Sequence, residues 1–98
     1  MRLNNLAGLL QATGRNAEAE PLYREALEID RNTLGEAHPD YAILLNNLAG
    51  LLQATGRDAE AEPLYREALA VFEQALGADH PNTKTTAENL EIFLASRP

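Results

Sequence analysis

The sequence contains no cysteine and no tryptophan. Without cysteine there are no disulfides and no thiolate metal sites, which agrees with a cytoplasmic setting, the expectation adopted for this chain. Large rings are few, namely Tyr23, Tyr41, Tyr65, Phe72 and Phe93. A core here must be built mainly of Leu and Ala, which suits helices in close contact. Basic side chains are outnumbered 8 to 15 by acidic ones, for a formal net charge of −7. Nucleic acid requires a concentrated positive surface, and anionic lipid attracts basic segments, so neither is expected as a partner. No apolar run approaches the roughly 18 residues of a membrane-crossing helix, and no amino-terminal stretch has a signal-peptide layout.

Chemical signatures are missing as well. There is no nucleophile–base constellation, no Gly-rich phosphate loop and no metal-ligand spacing, so neither catalysis nor a cofactor is expected. His38 and His80 stand one full repeat apart, too far to share a metal, and they read as helix caps or turn-packing groups. Glu18, Glu20, Glu60 and Glu62 lie near the starts of helices, where negative charge suits the helix dipole. Arg24 with Glu20 and Glu28, and Arg66 with Glu62, form four-residue surface pairs of small weight.

What the chain does contain is a copy of itself. Residues 3–44 return as residues 45–86, shifted by 42 positions. Thirteen consecutive residues agree from Leu3 to Arg15, then eleven from Ala17 to Leu27, then Leu34, Gly35, His38 and Pro39. A period of this size marks a stacked array in which each unit covers its neighbour's apolar face.

Inside each unit the period is helical. Leu45, Leu48, Ala49 and Leu52 fall on one helix face, and Ala61, Leu64, Tyr65, Ala68, Leu69 and Phe72 on another. Gly56 ends the first of these helices and Leu76-Gly77 the second. Asn16 and Asp58 stand where helix caps belong. Pro39 and Pro81 suit a first helical position, and Pro21 and Pro63 predict a slight early bend. Five helices are predicted, at 2–13, 17–34, 39–55, 59–76 and 81–95, with short connections that force neighbours antiparallel. In the last helix Thr83, Lys84, Thr85, Thr86 and Glu88 replace more apolar residues, as the polar outer face of a capping helix. The amino end reads as cut and the carboxyl end as a true terminus.

The unit Leu-Asn-Asn-Leu-Ala-Gly-Leu-Leu-Gln-Ala-Thr-Gly-Arg, followed by Ala-Glu-Ala-Glu-Pro-Leu-Tyr-Arg-Glu-Ala-Leu, resembles the tetratricopeptide repeat. It is most similar to the 42-residue variety of kinesin light chains, which the Leu-Gly…His-Pro junction marks. Ala7 and Ala49, Gly14 and Gly56, Ala19, Ala26, Ala61 and Ala68, and Tyr23 and Tyr65 occupy the family's small, turn and aromatic positions. The resemblance implies an all-α fold, an α-solenoid of antiparallel helix pairs forming a superhelix. About two and a half repeats are expected in a single domain over 1–98: repeat 1 at 1–35, repeat 2 at 39–77 and a carboxyl-terminal capping helix at 81–95.

The same resemblance implies that the first helix of each pair lines a concave groove that binds an extended peptide or protein segment. The groove positions would be Asn4, Asn5, Gly8, Gln11 and Ala12; Ile43, Asn46, Asn47, Gly50, Gln53 and Ala54; and Thr85, Glu88, Asn89, Ile92 and Ala95. Asn5, Asn47 and Asn89 recur every 42 residues and would form a ladder, each amide offering an acceptor and donors to a peptide bond. The alternative role for these asparagines is to tie one repeat to the next. Gly8 and Gly50 would leave open floor. With Lys84 and Arg97 the only basic residues nearby, a neutral or basic peptide is the expected ligand. Two other readings stand beside this one. The chain could self-associate, as a homodimer end-stacked or helix-swapped through apolar surface around Leu22 and Ile29, or be a fragment of a larger regulator.

Overall fold

The computed structural model describes residues 2–96, with side chains described from Leu6 onward. Five helices follow one another: α1 (Arg2–Ala12), α2 (Asn16–Thr33), α3 (Pro39–Ala54), α4 (Asp58–Leu76) and α5 (Pro81–Ser96). Among the described residues all regular structure is helical. Each helix packs on the next in the chain, with α3 and α4 in the most extensive contact, followed by α1 and α2. The predicted elements are therefore all present, within about one residue at each end.

The shared 42-residue offset explains why the elements recur. The Thr13–Arg15 and Thr55–Arg57 turns are copies. In the first, the Gly14 N–H donates to Gln11 O at 3.0 Å and the Arg15 N–H to Leu10 O at 2.7 Å. Gly56 has φ +80, and its N–H donates to Gln53 O while Arg57 N–H donates to Leu52 O at 2.8 Å. This pair of bonds satisfies carbonyls that a helix end leaves unpaired, and it requires the left-handed conformation that glycine takes without strain.

The expected caps at Asn16 and Asp58 are not formed. These residues begin α2 and α4, while the capping positions belong to Arg15 and Arg57, neither of which makes a side-chain capping bond. The tight glycine turn leaves one residue before the helix, and arginine fills it. Arg15 pairs instead with Glu18, and Arg57 with Glu60 at 2.6 Å, in the first turn of the helix each precedes. Asn16 Oδ1 is left buried without a partner. Capping falls to the histidines: His38 Nδ1 accepts from the Asp40 N–H, and His80 Nδ1 from the Asn82 N–H, both at 3.1 Å. Pro39 and Pro81 open α3 and α5, where a missing N–H costs nothing.

The core runs along the stack. Alanines 7, 19, 26, 42, 49, 61 and 68 are fully buried and let helices approach closely. Tyr23, Tyr41, Tyr65, Phe72, Phe93 and the leucines of α3 fill the remaining space. The Tyr65 and Phe93 rings lie 5.3 Å apart and tilted by 54°, joining α4 to α5. An ion pair ties the two copies together: Glu20 of α2 receives Arg24 from its own helix and Arg57, 2.6 Å away, from the α3–α4 turn. Burial alone would raise the Glu20 carboxyl, but the hydrogen bonds and charges of Arg24 and Arg57 hold it below its ordinary value. Glu28 does not join Arg24, whose bond goes to Glu20.

The last helix departs from the predicted polar cap. Thr83 and Thr86 are buried, both 2% exposed, because they occupy the positions of Tyr41 and Leu44 and face inward. Thr86 Oγ1 donates to Asn82 O at 2.8 Å, whereas Thr83 Oγ1 is buried with no partner. Lys84, Thr85 and Glu88 are exposed as expected. Ile92 and Leu94 are also exposed, so the outer face of α5 is mixed. At the other end Leu6 and Leu9 are 46% and 62% exposed, while their copies Leu48 and Leu51 are at 1% and 0% because α2 packs against α3.

Candidate ligand groove

Where α3, α4 and α5 meet, the surface sinks into a depression of about 270 Å³ lined by Ile43, Asn46, Phe72, Asn82, Thr85 and Thr86. Ile43 and Asn46 are one turn apart on α3, and Asn82, Thr85 and Thr86 occupy the first turns of α5. Phe72, from the second half of α4, forms an apolar floor. Asn46 Oδ1 is buried and accepts no hydrogen bond, so the wall holds an amide oxygen that is unsatisfied without a ligand. The combination is an apolar floor edged by an amide and hydroxyls, the chemistry of a peptide side-chain pocket.

The residues that the sequence placed in the groove do not stay together. Ile43, Asn46 and Thr85 line the depression. Gln11 and Gln53 turn toward the second helices, where Gln11 Oε1 accepts from the Tyr23 hydroxyl at 3.0 Å and Gln53 Oε1 from Tyr65 at 2.9 Å. Burial raises the pKa of both phenols, Tyr65 with a further contribution from Asp58, so they remain protonated donors. Asn47 and Asn89 are half-buried on α3 and α5, outside the lining, and Glu88 and Ile92 are exposed. The side chains of Asn4 and Asn5 lie outside the described residues, and so does that end of the asparagine ladder.

The open floor expected at Gly8 and Gly50 is partly filled by tyrosine. A β-carbon at Gly50 would meet the Tyr65 hydroxyl at 3.7 Å, and one at Gly8 the Tyr23 hydroxyl at 3.8 Å. Both are ordinary contact distances. Three lining residues, Phe72, Asn82 and Thr86, were not among the predicted positions. Phe72 belongs to the second helix of its pair, and the only sequence signal for it is that it replaces Asp30 of the first copy.

Among the described residues no group of three or more His, Asp or Glu is placed to hold a metal ion. Likewise, none of the described helices is long and apolar enough to cross a membrane.

The architecture is that of a helical-repeat protein in which each helix packs on the next along the chain. The chain belongs to the tetratricopeptide repeat family, whose model matches residues 2–74 and again 40–94. Its repeats are of the kinesin-light-chain-like variety. The crystal structure of BtubC (BKLC) from P. vanneervenii is similar over 96% of this chain and 37% of that one, at 29% identity and a TM-score of 0.90. This chain thus spans little more than a third of that protein's length. No curated protein matches it. Tetratricopeptide repeats are in general protein–protein interaction modules and non-catalytic scaffolds.

Proposed function

We propose that the chain is a non-catalytic, cytoplasmic binding module that holds an extended peptide or protein segment along the groove bordered by α1, α3 and α5. The observation that carries this reading is the α3–α5 depression, which Phe72 and Asn46 both line and in which Asn46 Oδ1 is unpaired. A peptide N–H donating to that oxygen would satisfy it while an apolar ligand side chain covers the ring. Asn47 and Asn89, one repeat apart on α3 and α5, would extend the same amide chemistry along the ligand backbone. The net charge of −7 favours neutral or basic ligands over acidic ones.

The test is selection from randomised peptides followed by titration calorimetry on the peptides retained. Asn46→Ala and Asn47→Ala should each weaken binding by about 1 kcal/mol or more without altering the melting temperature by more than a few degrees. Unchanged affinity in both variants would remove the asparagines from recognition.

A second reading is favoured by Leu6 and Leu9, which are exposed where Leu48 and Leu51 are covered. A helix of another copy laid on α1 would close that face as an isologous contact. Sedimentation equilibrium distinguishes this reading from the first, since Leu9→Glu should then shift a dimer to monomer. A wild type that stays monomeric at high concentration would dismiss it.

A further inference from the structure

The depression lies where the first turns of α5 carry smaller side chains than those of α3. Thr85 and Thr86 line it, and a shift of 42 residues sets them against Ile43 and Leu44. Both helices begin at equivalent prolines, Pro39 and Pro81, so they carry these positions at the same register. Each exchange shortens a branched aliphatic side chain and puts a hydroxyl in place of carbon. Thr83, set against Tyr41, continues the trimming one turn earlier.

Polar groups at the edge are partly committed inside the chain. The Thr86 hydroxyl donates to Asn82 O at 2.8 Å, and the Asn82 N–H donates to His80 Nδ1 at 3.1 Å. Asn46 Oδ1, by contrast, is buried without a partner, and it is an acceptor. The six lining residues are all uncharged. A ligand charge of either sign would therefore give up hydration there without meeting a counter-charge. Phe72 is only 2% exposed, which leaves too little of its face for a second ring to stack on. The volume of about 270 Å³ falls below the range of about 300–1,000 Å³ usual for small-molecule sites, and suits one side chain.

We propose that the depression selects a single branched aliphatic side chain, leucine, isoleucine or valine, of the peptide held in the groove, and that Thr85 and Thr86 set its size. The ligand returns to this place the kind of carbon that α5 lacks relative to α3. A peptide N–H beside that side chain donates to Asn46 Oδ1, three residues and so about 4.5 Å along α3 from Ile43. The inference rests on the groove reading above and adds to it the class of residue at this subsite.

The experiment is selection of randomised peptides, blocked at both ends, on the wild type, followed by titration of the retained peptides against the wild type, Thr85→Leu and Asn46→Ala. Thr85 is exposed, so Thr85→Leu fills the depression without entering the core. The wild type should enrich Leu, Ile or Val at one position. Replacing that residue by Ala should cost about tenfold or more in affinity, and by Lys or Glu at least as much. Thr85→Leu should weaken the aliphatic peptide about tenfold and its Ala version less than about twofold, so that the preference for the larger side chain is lost. A purely structural effect of the substitution would weaken both peptides alike. That result, an unchanged preference in Thr85→Leu, or enrichment of a charged or aromatic residue by the wild type overturns the proposal, while retained peptides that lose affinity for Asn46→Ala leave the groove reading standing. If the wild type retains no peptide, both fall.

Discussion

Asp30 makes a prediction about the stability of the free protein. Its carboxylate is buried with an unpartnered oxygen at a position where the other copy carries Phe72, so the free protein should be more stable without the charge. Asp30→Asn removes the charge at constant size, and Asp30→Leu adds apolar contact with a side chain smaller than the ring that fits the equivalent place. Replacing buried ionic groups by apolar ones is often stabilising by 1–4 kcal/mol. About 1–3 kcal/mol is expected for Asp30→Leu and less for Asp30→Asn. For a domain of this size each kcal/mol raises Tm by about 4–8 °C. The pH dependence gives the sharper check. Burial, with help from Asp40 and against His38 and the amino-terminal group, raises the Asp30 pKa above its ordinary value. A folded value above the unfolded one means that the wild type keeps its full stability below the unfolded pKa and loses part of it as pH rises through the folded one. The advantage of Asp30→Asn should therefore be largest at pH 7 and shrink toward zero as pH falls into the carboxylate range. Urea titrations of both proteins at pH 7 and pH 4 measure it. A destabilised Asp30→Asn at pH 7 would mean that the carboxylate has a structural partner, and the reasoning would be refuted.

Three further outcomes follow from the same geometry. Gly56→Ala, at φ +80, should destabilise by about 1–2 kcal/mol in chemical denaturation, since only glycine takes that conformation freely. Gly50→Ala should instead stabilise by up to about 1 kcal/mol, because the new methyl meets Tyr65 at contact distance and a helical glycine is removed; any accompanying loss of peptide affinity locates the ligand over that position. The Glu20–Arg57 bridge should appear in a double-mutant cycle as a small coupling that vanishes in about 1 M salt. Since the Glu20 pKa is held low, its contribution is present above the unfolded value and lost as pH falls through the folded one, opposite in sign to Asp30.

How much of this was legible in the sequence depends on what each residue answers to. The helices were legible because the alanines, leucines and turn glycines obey local rules and were written twice. The caps were misread for a local reason: Asn16 and Asp58 have capping chemistry, but the bonds closing the Gly14 and Gly56 turns move the helix start by one residue. The inward turn of Thr83 and Thr86 was hidden by composition, which suggests an outer face. The 42-residue register, by contrast, assigns both to the buried positions of Tyr41 and Leu44. Register was thus the better guide wherever it disagreed with residue type.

The same distinction applies to the site. Ile43, Asn46 and Thr85 were accessible from family position alone, whereas Phe72 was not, because it stands in a second helix, outside the positions assigned to the groove. It falls in a stretch, Glu28–Thr33 against Ala70–Ala75, where the copies do not agree. Identity between the copies is what packing requires, since each unit presents the same face to the next. A binding surface has no such constraint, and a ligand that is not itself a repeat must meet unlike groups along it.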